Sequence, residues 1–343
     1  MKEHILGLLP DDFLSYLHSK NVKDFRQKQL FNWLYNKQEL DFDMMTSLSE
    51  DFREELDKDY DNSLPKIVDI ATASDETTKY LLELKDHNYI EMVIIPHKGK
   101  NTLCVSSQVG CARNCQFCAT GKLGFIRNLE VHEIVSQIFL AIKELREHKL
   151  TNIVFMGMGE PLDNYNNVLK AIEILQSDQC FNFSPRRITI STAGVNPMIN
   201  KLADLDLKFK LAVSLNSAIQ SKREILMPIS KEFPLKELKH SLLDFRKQTS
   251  YRITFEYVMI KNFNMAKEDV TALLKFLGDI SCKLNLIKWN IVDGLPYETP
   301  SQKEIEEFFK KVNKLDYNVT YRKSRGSDIS AACGQLACNS KQK

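Results

Sequence analysis

The stretch TLCVSSQVGCARNCQFC, residues 102–118, joins a strand-like run to three cysteines in the pattern C-x3-C-x2-C. These cysteines are Cys111, Cys115 and Cys118, and one short loop lets their thiolates converge on a single metal centre. Structural zinc usually takes four protein ligands from paired C-x2-C knuckles, and this loop has no neighbouring fourth thiol. Zinc stays the alternative, but three soft thiolates fit a 4Fe–4S cluster with one iron left open.

From residue 102 onward, strand-like runs alternate with segments of helical periodicity. The strand-like runs are 102–108, 152–159, 186–192, 207–215, 252–260, 282–290 and 318–322. This alternation predicts an α/β fold with a parallel sheet. Seven strands and no early GxGxxG favour an open or incomplete TIM-like β/α barrel over a dinucleotide-binding fold. Barrel sites lie at the carboxyl ends of strands, and the three-cysteine loop follows the first strand.

The rest of the chain divides into smaller regions. Residues 1–75 are predicted to be a small helical N-terminal domain, and 76–100 a β-hairpin extension with its turn at 86–88. The partial barrel is assigned to 101–330, and 331–343 form a tail. In the N-terminal domain, RQKQLFNWLY interleaves basic and aromatic residues. Its aromatics could pack in a small core or stack on bases, and periodicity alone does not choose.

Composition and charge set limits on location and partners. The chain has 343 residues and a net charge of only +2, so any RNA partner must be met by local patches. It has no recognisable signal peptide and no apolar run of roughly 18 residues. A cytoplasmic protein that does not engage a membrane is therefore expected, with its eight cysteines reduced. Nothing in the sequence demands more than a monomer.

Several motifs together resemble a known family. C-x3-C-x-aromatic-C after the first strand of an α/β barrel resembles the radical S-adenosylmethionine (SAM) superfamily. The wider chain is similar to the RlmN/Cfr family of RNA adenine methyltransferases. The motifs that carry this resemblance are TLCVSSQVGCARNCQFCATGKLGFIRNL, FMGMGEPLDN, RRITISTAG, LIKWNI and RGSDISAACGQL.

The resemblance implies a radical mechanism that uses two SAM molecules per turnover and a protein thiol. Cys333 matches the methyl-carrier cysteine, which one SAM methylates before a radical from the second SAM takes a hydrogen from the S-methyl group. The carbon radical then adds to adenine and links RNA to protein. Cys104 matches the thiol that resolves this link by forming a disulfide with Cys333. Glu91 matches the base that removes the adenine proton.

The resemblance also implies a set of SAM contacts at strand ends. The matching residues are Gly159, Glu160, Ser191, Ser214, Leu215, Asn216 and Asn290. Asn216 departs from the family pattern, in which histidine is expected, so only a contact and no acid–base role is assigned to it. Cys180 and Cys282 are interpreted as buried small side chains, and Cys338 is given no role.

Two activities within the resembled family differ in their target carbon. The RlmN type modifies carbon 2 of an adenosine in 23S rRNA and, in some bacteria, a tRNA anticodon-loop adenosine, whereas the Cfr type modifies carbon 8. Pro161 and Arg325 favour the RlmN type. An electron donor such as flavodoxin or ferredoxin is also implied, and the N-terminal domain is expected to help grip RNA. Candidate phosphate contacts are Arg186, Arg187, Arg322, Lys323 and Arg325.

Overall fold

A computed structural model of the protein describes residues 2–146, 148–205, 208–314 and 318–338. Ten of its strands form one sheet in the order β14-β13-β12-β11-β10-β9-β6-β5-β4-β3, and two small pairs, β1-β2 and β7-β8, lie outside it. The strands are β1 (Glu3–His4), β2 (Tyr60–Asp61), β3 (Lys66–Thr72), β4 (Thr78–Glu83), β5 (Tyr89–His97), β6 (Lys100–Cys104), β7 (Gln108–Gly110), β8 (Phe125–Asn128), β9 (Leu150–Phe155), β10 (Ile188–Thr192), β11 (Lys210–Ser214), β12 (Ile253–Met259), β13 (Cys282–Lys288) and β14 (Asn318–Arg322).

Helices connect the parallel strands and build the N-terminal region. The α-helices are α1 (Pro10–Ser19), α2 (Phe25–Phe31), α3 (Glu50–Asp59), α4 (Ala119–Lys122), α5 (Val131–Leu145), α6 (Tyr165–Gln176), α7 (Asn196–Ala203), α8 (Gln220–Leu226), α9 (Ile229–Glu232), α10 (Leu235–Gln248), α11 (Lys267–Leu277) and α12 (Gln302–Val312). Short 3-10 turns cover Ile5–Gly7, Phe42–Met44, Pro161–Asn164, Pro185–Arg187 and Ser327–Ile329, and a π-helical turn covers Asn32–Asn36. No helix in the described ranges is long and apolar enough to cross a membrane.

The seven neighbouring strands from β6 to β14 are all parallel, in chain order. Buried apolar side chains dominate them, as in β12, where Ile253, Phe255, Tyr257 and Met259 are each at most 1 % exposed. The two ends of this array do not pair with each other. Instead β6 continues into the antiparallel strands β5, β4 and β3. The predicted incomplete barrel is therefore confirmed, and the gap between β6 and β14 is called the seam below.

Most predicted elements are found near their predicted positions, and the differences have local causes. The strand predicted over 102–108 is shorter, because β6 ends at Cys104. The start of the run predicted over 207–215, and residues 339–343 of the predicted tail, lie outside the described residues. The region predicted to be helical up to residue 75 contains β3, so the antiparallel extension has one strand more than the expected hairpin.

The aromatic residues of the N-terminal segment pack mainly inside the protein. Phe31 and Tyr35 are buried, with ring centroids 5.5 Å apart, and Tyr35 meets Phe181 of the barrel edge-on at 4.9 Å. Trp33 is half-buried, and its indole N–H donates to the Ser47 hydroxyl at 2.8 Å. Of the two uses left open for this segment, core packing is confirmed for Phe31 and Tyr35.

Candidate active site

A cavity opens at the carboxyl ends of the parallel strands, and its space, including the solvent at its mouth, is about 1020 Å³. We call it the strand-end cavity. Its lining contains nearly all the predicted metal and SAM residues, namely Cys111, Cys115, Cys118, Gly159, Glu160, Ser191, Ser214, Asn216 and Asn290, together with Cys333. Leu215 is fully buried and lies outside the lining, so only its backbone shapes the strand end.

The three-cysteine loop begins on a small antiparallel ribbon of β7 and β8. Gly110 precedes Cys111 at φ +73°, and a Cβ there would lie 1.9 Å from the Gly124 carbonyl oxygen, so glycine is required. The Cys111 N–H donates to that carbonyl at 2.7 Å, and the Cys118 N–H donates to the Cys115 carbonyl at 3.1 Å. These contacts hold all three thiols on one wall of the cavity.

The donor set of three thiolates suits an iron–sulfur cluster. Among the described residues, no three His, Cys, Asp or Glu side chains converge on a point that one metal ion could occupy. The three thiols share one cavity. Burial raises the pKa of Cys115, and the charges of Cys118 and Cys111 add to this effect. Cys111, Cys115 and Cys118 would therefore be the ligands of such a cluster, with no fourth protein ligand on this loop.

Glu160 is a buried carboxylate at the floor of the cavity. Its two oxygens accept from the Ala193 N–H at 2.7 Å and the Leu162 N–H at 3.1 Å. Burial raises the pKa of Glu160 to about 7, which those backbone donors partly oppose. A cationic ligand group would favour the charged form of this carboxylate. Glu160 can therefore hold an ammonium while it also shapes the strand end.

The other predicted SAM residues stand on successive strand ends. Ser191 is on β10 and Ser214 on β11, and both face the cavity. The Asn216 amide is already engaged, since its oxygen accepts from the Val258 N–H at 2.9 Å and its nitrogen points to Met227 Sδ at 3.2 Å. Asn290 has a buried Oδ1 with no hydrogen-bond partner among the described residues. That free acceptor suits a ligand N–H donor.

Cys333 connects this cavity to a second one. The second cavity, which we call the seam cavity, lies between β6 and β14 and contains Cys104 in its lining. Cys333 is exposed and lines both cavities. Burial and, to a smaller extent, the nearby Cys333 raise the pKa of the Cys104 thiol to about 12. The two thiols predicted to act together are thus brought together in the structure.

A cation sits beside this pair of thiols. Arg322 lines both cavities, and the charges of Cys333, Glu256 and Cys104 raise its pKa against the effect of burial. Glu256 is buried in the strand-end cavity, and its Oε2 has no hydrogen-bond partner among the described residues. From the sequence, Arg322 was predicted only as a phosphate contact, and Glu256 was not singled out. The sequence does not indicate that this arginine and this glutamate share a site, because only the folded sheet brings their strands together.

Glu91 lies apart from both cavities. Its carboxylate is buried, pairs with Lys79 Nζ at 2.9 Å and accepts from the Ala337 N–H at 2.9 Å. It contributes to the lining of neither the strand-end cavity nor the seam cavity. In this conformation it fastens the segment that follows Cys333. Both of its carboxylate oxygens are therefore engaged within the protein.

The predicted basic residues fall into different environments. Arg325 is half-buried in the lining of the seam cavity, where it donates to the Pro96 carbonyl at 3.0 Å and contacts His97 Nδ1 at 2.7 Å. Arg186 and Arg187 are exposed at the amino end of β10, opposite the cavity. Lys323 is exposed and lines the seam cavity. Of the five candidates, Lys323 is therefore the one whose exposure and position best suit a phosphate contact.

Comparison with known proteins gives matches along nearly the whole chain. The family model of the radical SAM superfamily matches residues 105–277, and that of the ribosomal RNA large subunit methyltransferase N-terminal domain matches residues 4–60. A protein of Flavobacterium johnsoniae named "Probable dual-specificity RNA methyltransferase RlmN" is 43% identical over 98% of this chain and 97% of its own length. A protein of Dictyoglomus turgidum with the same name is 43% identical over 97% of this chain and 96% of its own length.

A solved structure shares the entire fold. The crystal structure of a radical SAM methyltransferase from Sphaerobacter thermophilus superposes with a TM-score of 0.94 and is 36% identical. The match covers 98% of this chain and 99% of that one. The helical N-terminal region, the antiparallel extension and the seven-strand array therefore occur together in both proteins.

Proposed function

The chain belongs to the RlmN family of radical SAM RNA methyltransferases, and from this premise we propose that it methylates carbon 2 of an adenosine in 23S rRNA, and of a tRNA adenosine, through a methyl group carried on Cys333. The observation that carries the proposal is the position of Cys333, which lines the strand-end cavity and the seam cavity at once. A carrier that collects a methyl group in one place and delivers it in another needs access to both.

The strand-end cavity is proposed to hold the cofactors. Cys111, Cys115 and Cys118 would ligate a 4Fe–4S cluster, and Glu160 with the strand ends at Ser191 and Ser214 would hold SAM. When bound, the cluster supplies the electron that converts SAM into a hydrogen-abstracting radical. The chain's residues would hold the ligand at the strand ends and in this way limit its contact with competing hydrogen donors.

Cys333 and Cys104 are proposed to act in sequence on the methyl carbon. The Cys333 thiolate would take a methyl group from one SAM, and the S-methyl group would lose a hydrogen atom to the radical derived from a second SAM, so two SAM molecules are consumed per methyl group transferred. The resulting carbon radical would bond to C2 of adenine, and the adduct would then give up one electron, for which the cluster is the acceptor, and the C2 proton to a base. Cys104 would attack the sulfur of Cys333, so that the S–C bond to the RNA adduct breaks as the S–S bond forms and the released carbon takes up a proton to become the methyl group. A thiol reductant would return the disulfide to two thiols.

Arg322 supports this assignment of the two thiols. Burial disfavours the thiolate of Cys104, and the adjacent guanidinium opposes that effect. The group that removes the adenine proton is proposed to be Glu91. Glu91 accepts a hydrogen bond from the Ala337 N–H. To act as the base, it therefore requires the segment after Cys333 to shift when RNA binds.

A Cfr-type carbon-8 methyltransferase is the alternative, and the relatives favour carbon 2 because they carry the RlmN name. The test is mass spectrometry of nucleosides after anaerobic incubation of the reconstituted protein with SAM, a reductant and protein-free rRNA from a strain that lacks the gene. The expected product is 2-methyladenosine. New 8-methyladenosine would replace the proposal with the alternative, and a cluster-containing protein that gives no product would exclude this rRNA as substrate.

A further inference from the structure

Arg223 is a fully buried cation behind the three-cysteine loop. It lies on α8, and its side chain is 0% exposed. Its Nη2 donates to the Ala193 carbonyl at 2.6 Å and to the Ser214 carbonyl at 3.2 Å, and its Nε donates to the Leu215 carbonyl at 3.1 Å. These carbonyls lie at the ends of β10 and β11, so the guanidinium is fixed rigidly to the cavity floor.

The contacts of Arg223 leave its charge unmatched. Within the described part of the chain it forms no ion pair, and its Nη1 is buried with no hydrogen-bond partner. Burial lowers the pKa of Arg223 to about 10, which is the expected effect on a cation surrounded by low-dielectric protein. Buried charges in proteins are normally paired or bound to a metal centre. An anion is therefore expected close to Nη1.

The cysteine loop can supply this anion, because its thiols become thiolates when they ligate a metal centre. The helix and the loop are in direct contact, and the two residues are close enough for a charge on Cys115 to raise the pKa of Arg223. The N–H of Gln116, the residue after Cys115, donates to the Leu226 carbonyl at the end of α8 at 2.8 Å. The helix that carries Arg223 is thus docked on the loop beside this one cysteine.

We propose that Arg223 tunes the 4Fe–4S cluster, raising its reduction potential with a fixed positive charge beside Cys115. This inference rests on the proposed function, because it needs a redox-active cluster on the loop. Each electron added to a thiolate-ligated cluster increases its negative charge. A cation held nearby in a low-dielectric interior stabilises the reduced state more than the oxidised one. Arg223 is therefore a positioning and tuning residue, not one that touches substrate.

The same residue also links the cluster to the SAM contacts. The carbonyls it holds belong to the strand ends that carry Ser191 and Ser214, while its charge faces Cys115. The hydrogen bonds of Arg223 therefore hold its positive charge at a fixed position between Cys115 and the ends of β10 and β11.

The test is a redox titration of the cluster, monitored by electron paramagnetic resonance without SAM. Wild-type protein and the neutral variants Arg223→Gln and Arg223→Met are reconstituted anaerobically, and their iron and sulfide contents are measured first. The midpoint potential of the cluster is expected to be more negative in both neutral variants, by about 59 mV. For one electron this shift corresponds to about a tenfold smaller equilibrium constant for reduction. Arg223→Lys, which keeps the charge, is expected to stay near the wild-type potential.

Arg246→Gln is the matched control. Arg246 is also bound to backbone carbonyls, those of Thr249 and Tyr251, but it lies on α10 away from the cysteine loop. A wild-type potential in fully loaded Arg223→Gln or Arg223→Met would overturn the inference. If neither neutral variant folds, Arg223→Lys decides, because a negative shift there would show that the hydrogen bonds and not the charge set the potential. A wild-type protein that binds no iron would overturn both this inference and the proposed function.

Discussion

The N–H of Ala119 donates to the carbonyl of Gly334 at 2.7 Å. Ala119 follows the last cysteine of the loop, and Gly334 follows Cys333. The next residue of the loop repeats the connection, because the Thr120 hydroxyl donates to the Leu336 carbonyl at 2.6 Å. The loop that is proposed to hold the cluster therefore also holds the segment that carries the methyl group.

Replacing Thr120 by valine should loosen this connection without altering side-chain shape. The buried Leu336 carbonyl would lose its donor, at a cost of about 1–3 kcal/mol, so we expect methyladenosine per SAM cleaved to fall about tenfold. The measurement compares 5′-deoxyadenosine with methyladenosine by mass spectrometry, after cluster content has been matched. Thr120→Ser keeps the hydroxyl and should behave like wild type. An unchanged product ratio in Thr120→Val would mean that the bond does not position Cys333.

The two thiols should fail in different ways when each is removed. Cys333→Ala lacks the carrier and should give no methylated RNA. Cys104→Ala should leave RNA covalently attached to the protein, because nothing attacks the sulfur of Cys333. Denaturing gels that are stained for RNA and protein would show the adduct. Cys282→Ala serves as control, since Cys282 is buried in the sheet outside both cavities. Repeated turnover by Cys104→Ala would refute its resolving role.

Gly159→Ala should collapse the SAM side of the cavity. Gly159 has φ +98°, and a Cβ there would lie 2.6 Å from Gln108 Cβ, so the strand end must move. We expect at least tenfold weaker SAM binding by calorimetry, since a shift of about 1 Å at a binding site costs that much or more. Gly99→Ala is the control, because Gly99 also has positive φ, +71°, but has no atom within 4 Å of the added carbon. Equal SAM affinity in both variants would contradict the steric argument.

The contact between the N-terminal region and the barrel should weaken in acid. His4 stacks on His132 of α5 at 4.3 Å, its Nε2 donates to the Ser63 carbonyl at 2.7 Å, and its Nδ1 accepts from the Leu6 N–H. Both ring nitrogens are therefore committed to the neutral form. Burial, opposed by the hydrogen bond to Ser63 and helped by His132, lowers the pKa of His4 to about 4.

The sign of the effect follows from proton uptake. Between pH 6.5 and 4 the unfolded chain binds a proton at His4 that the folded chain does not, so the free energy of unfolding falls as the pH drops. The loss amounts to about 3 kcal/mol. Asp61 and Lys85 also act on His4, in opposite directions. Denaturant titrations should show this loss in wild type and in His18→Gln, an exposed-histidine control, but not in His4→Gln. Parallel pH profiles of wild type and His4→Gln would exclude the mechanism.

Sequence patterns predicted the parallel array because its buried strands are short apolar runs separated by amphipathic helices. The strand β3 escaped prediction for the opposite reason. It is an edge strand with no fully buried residue, so KIVDIAT shows no clear alternation. Helix α8 was also missed, because QSKREIL is short and polar. Its importance lies in one buried arginine that no periodicity marks.

Residues of the site were predictable where local spacing carries the chemistry, as in the cysteine loop. Contacts that join distant segments gave no such signal. Thr120 and Leu336 are 216 residues apart in sequence, and their bond exists only because the tail crosses the strand ends. The hydrogen bond from the Ala337 N–H to the Glu91 carboxylate is of the same kind, and it joins residues that are 246 positions apart in sequence. The fold brings these pairs together, and residue type alone does not indicate it.

The position of Cys333 after the last parallel strand has a consequence for synthesis on the ribosome. Translation delivers all seven parallel strands and the three loop cysteines before Cys333, which follows β14 in the chain. A message broken between Arg322 and Cys333 yields a polypeptide with the complete sheet and the cysteine loop but no methyl carrier. On the proposed function, such a fragment would consume SAM and reductant without marking RNA. Intact messages, or rapid degradation of truncated chains, therefore matter more for this enzyme than for one whose essential residues are translated early.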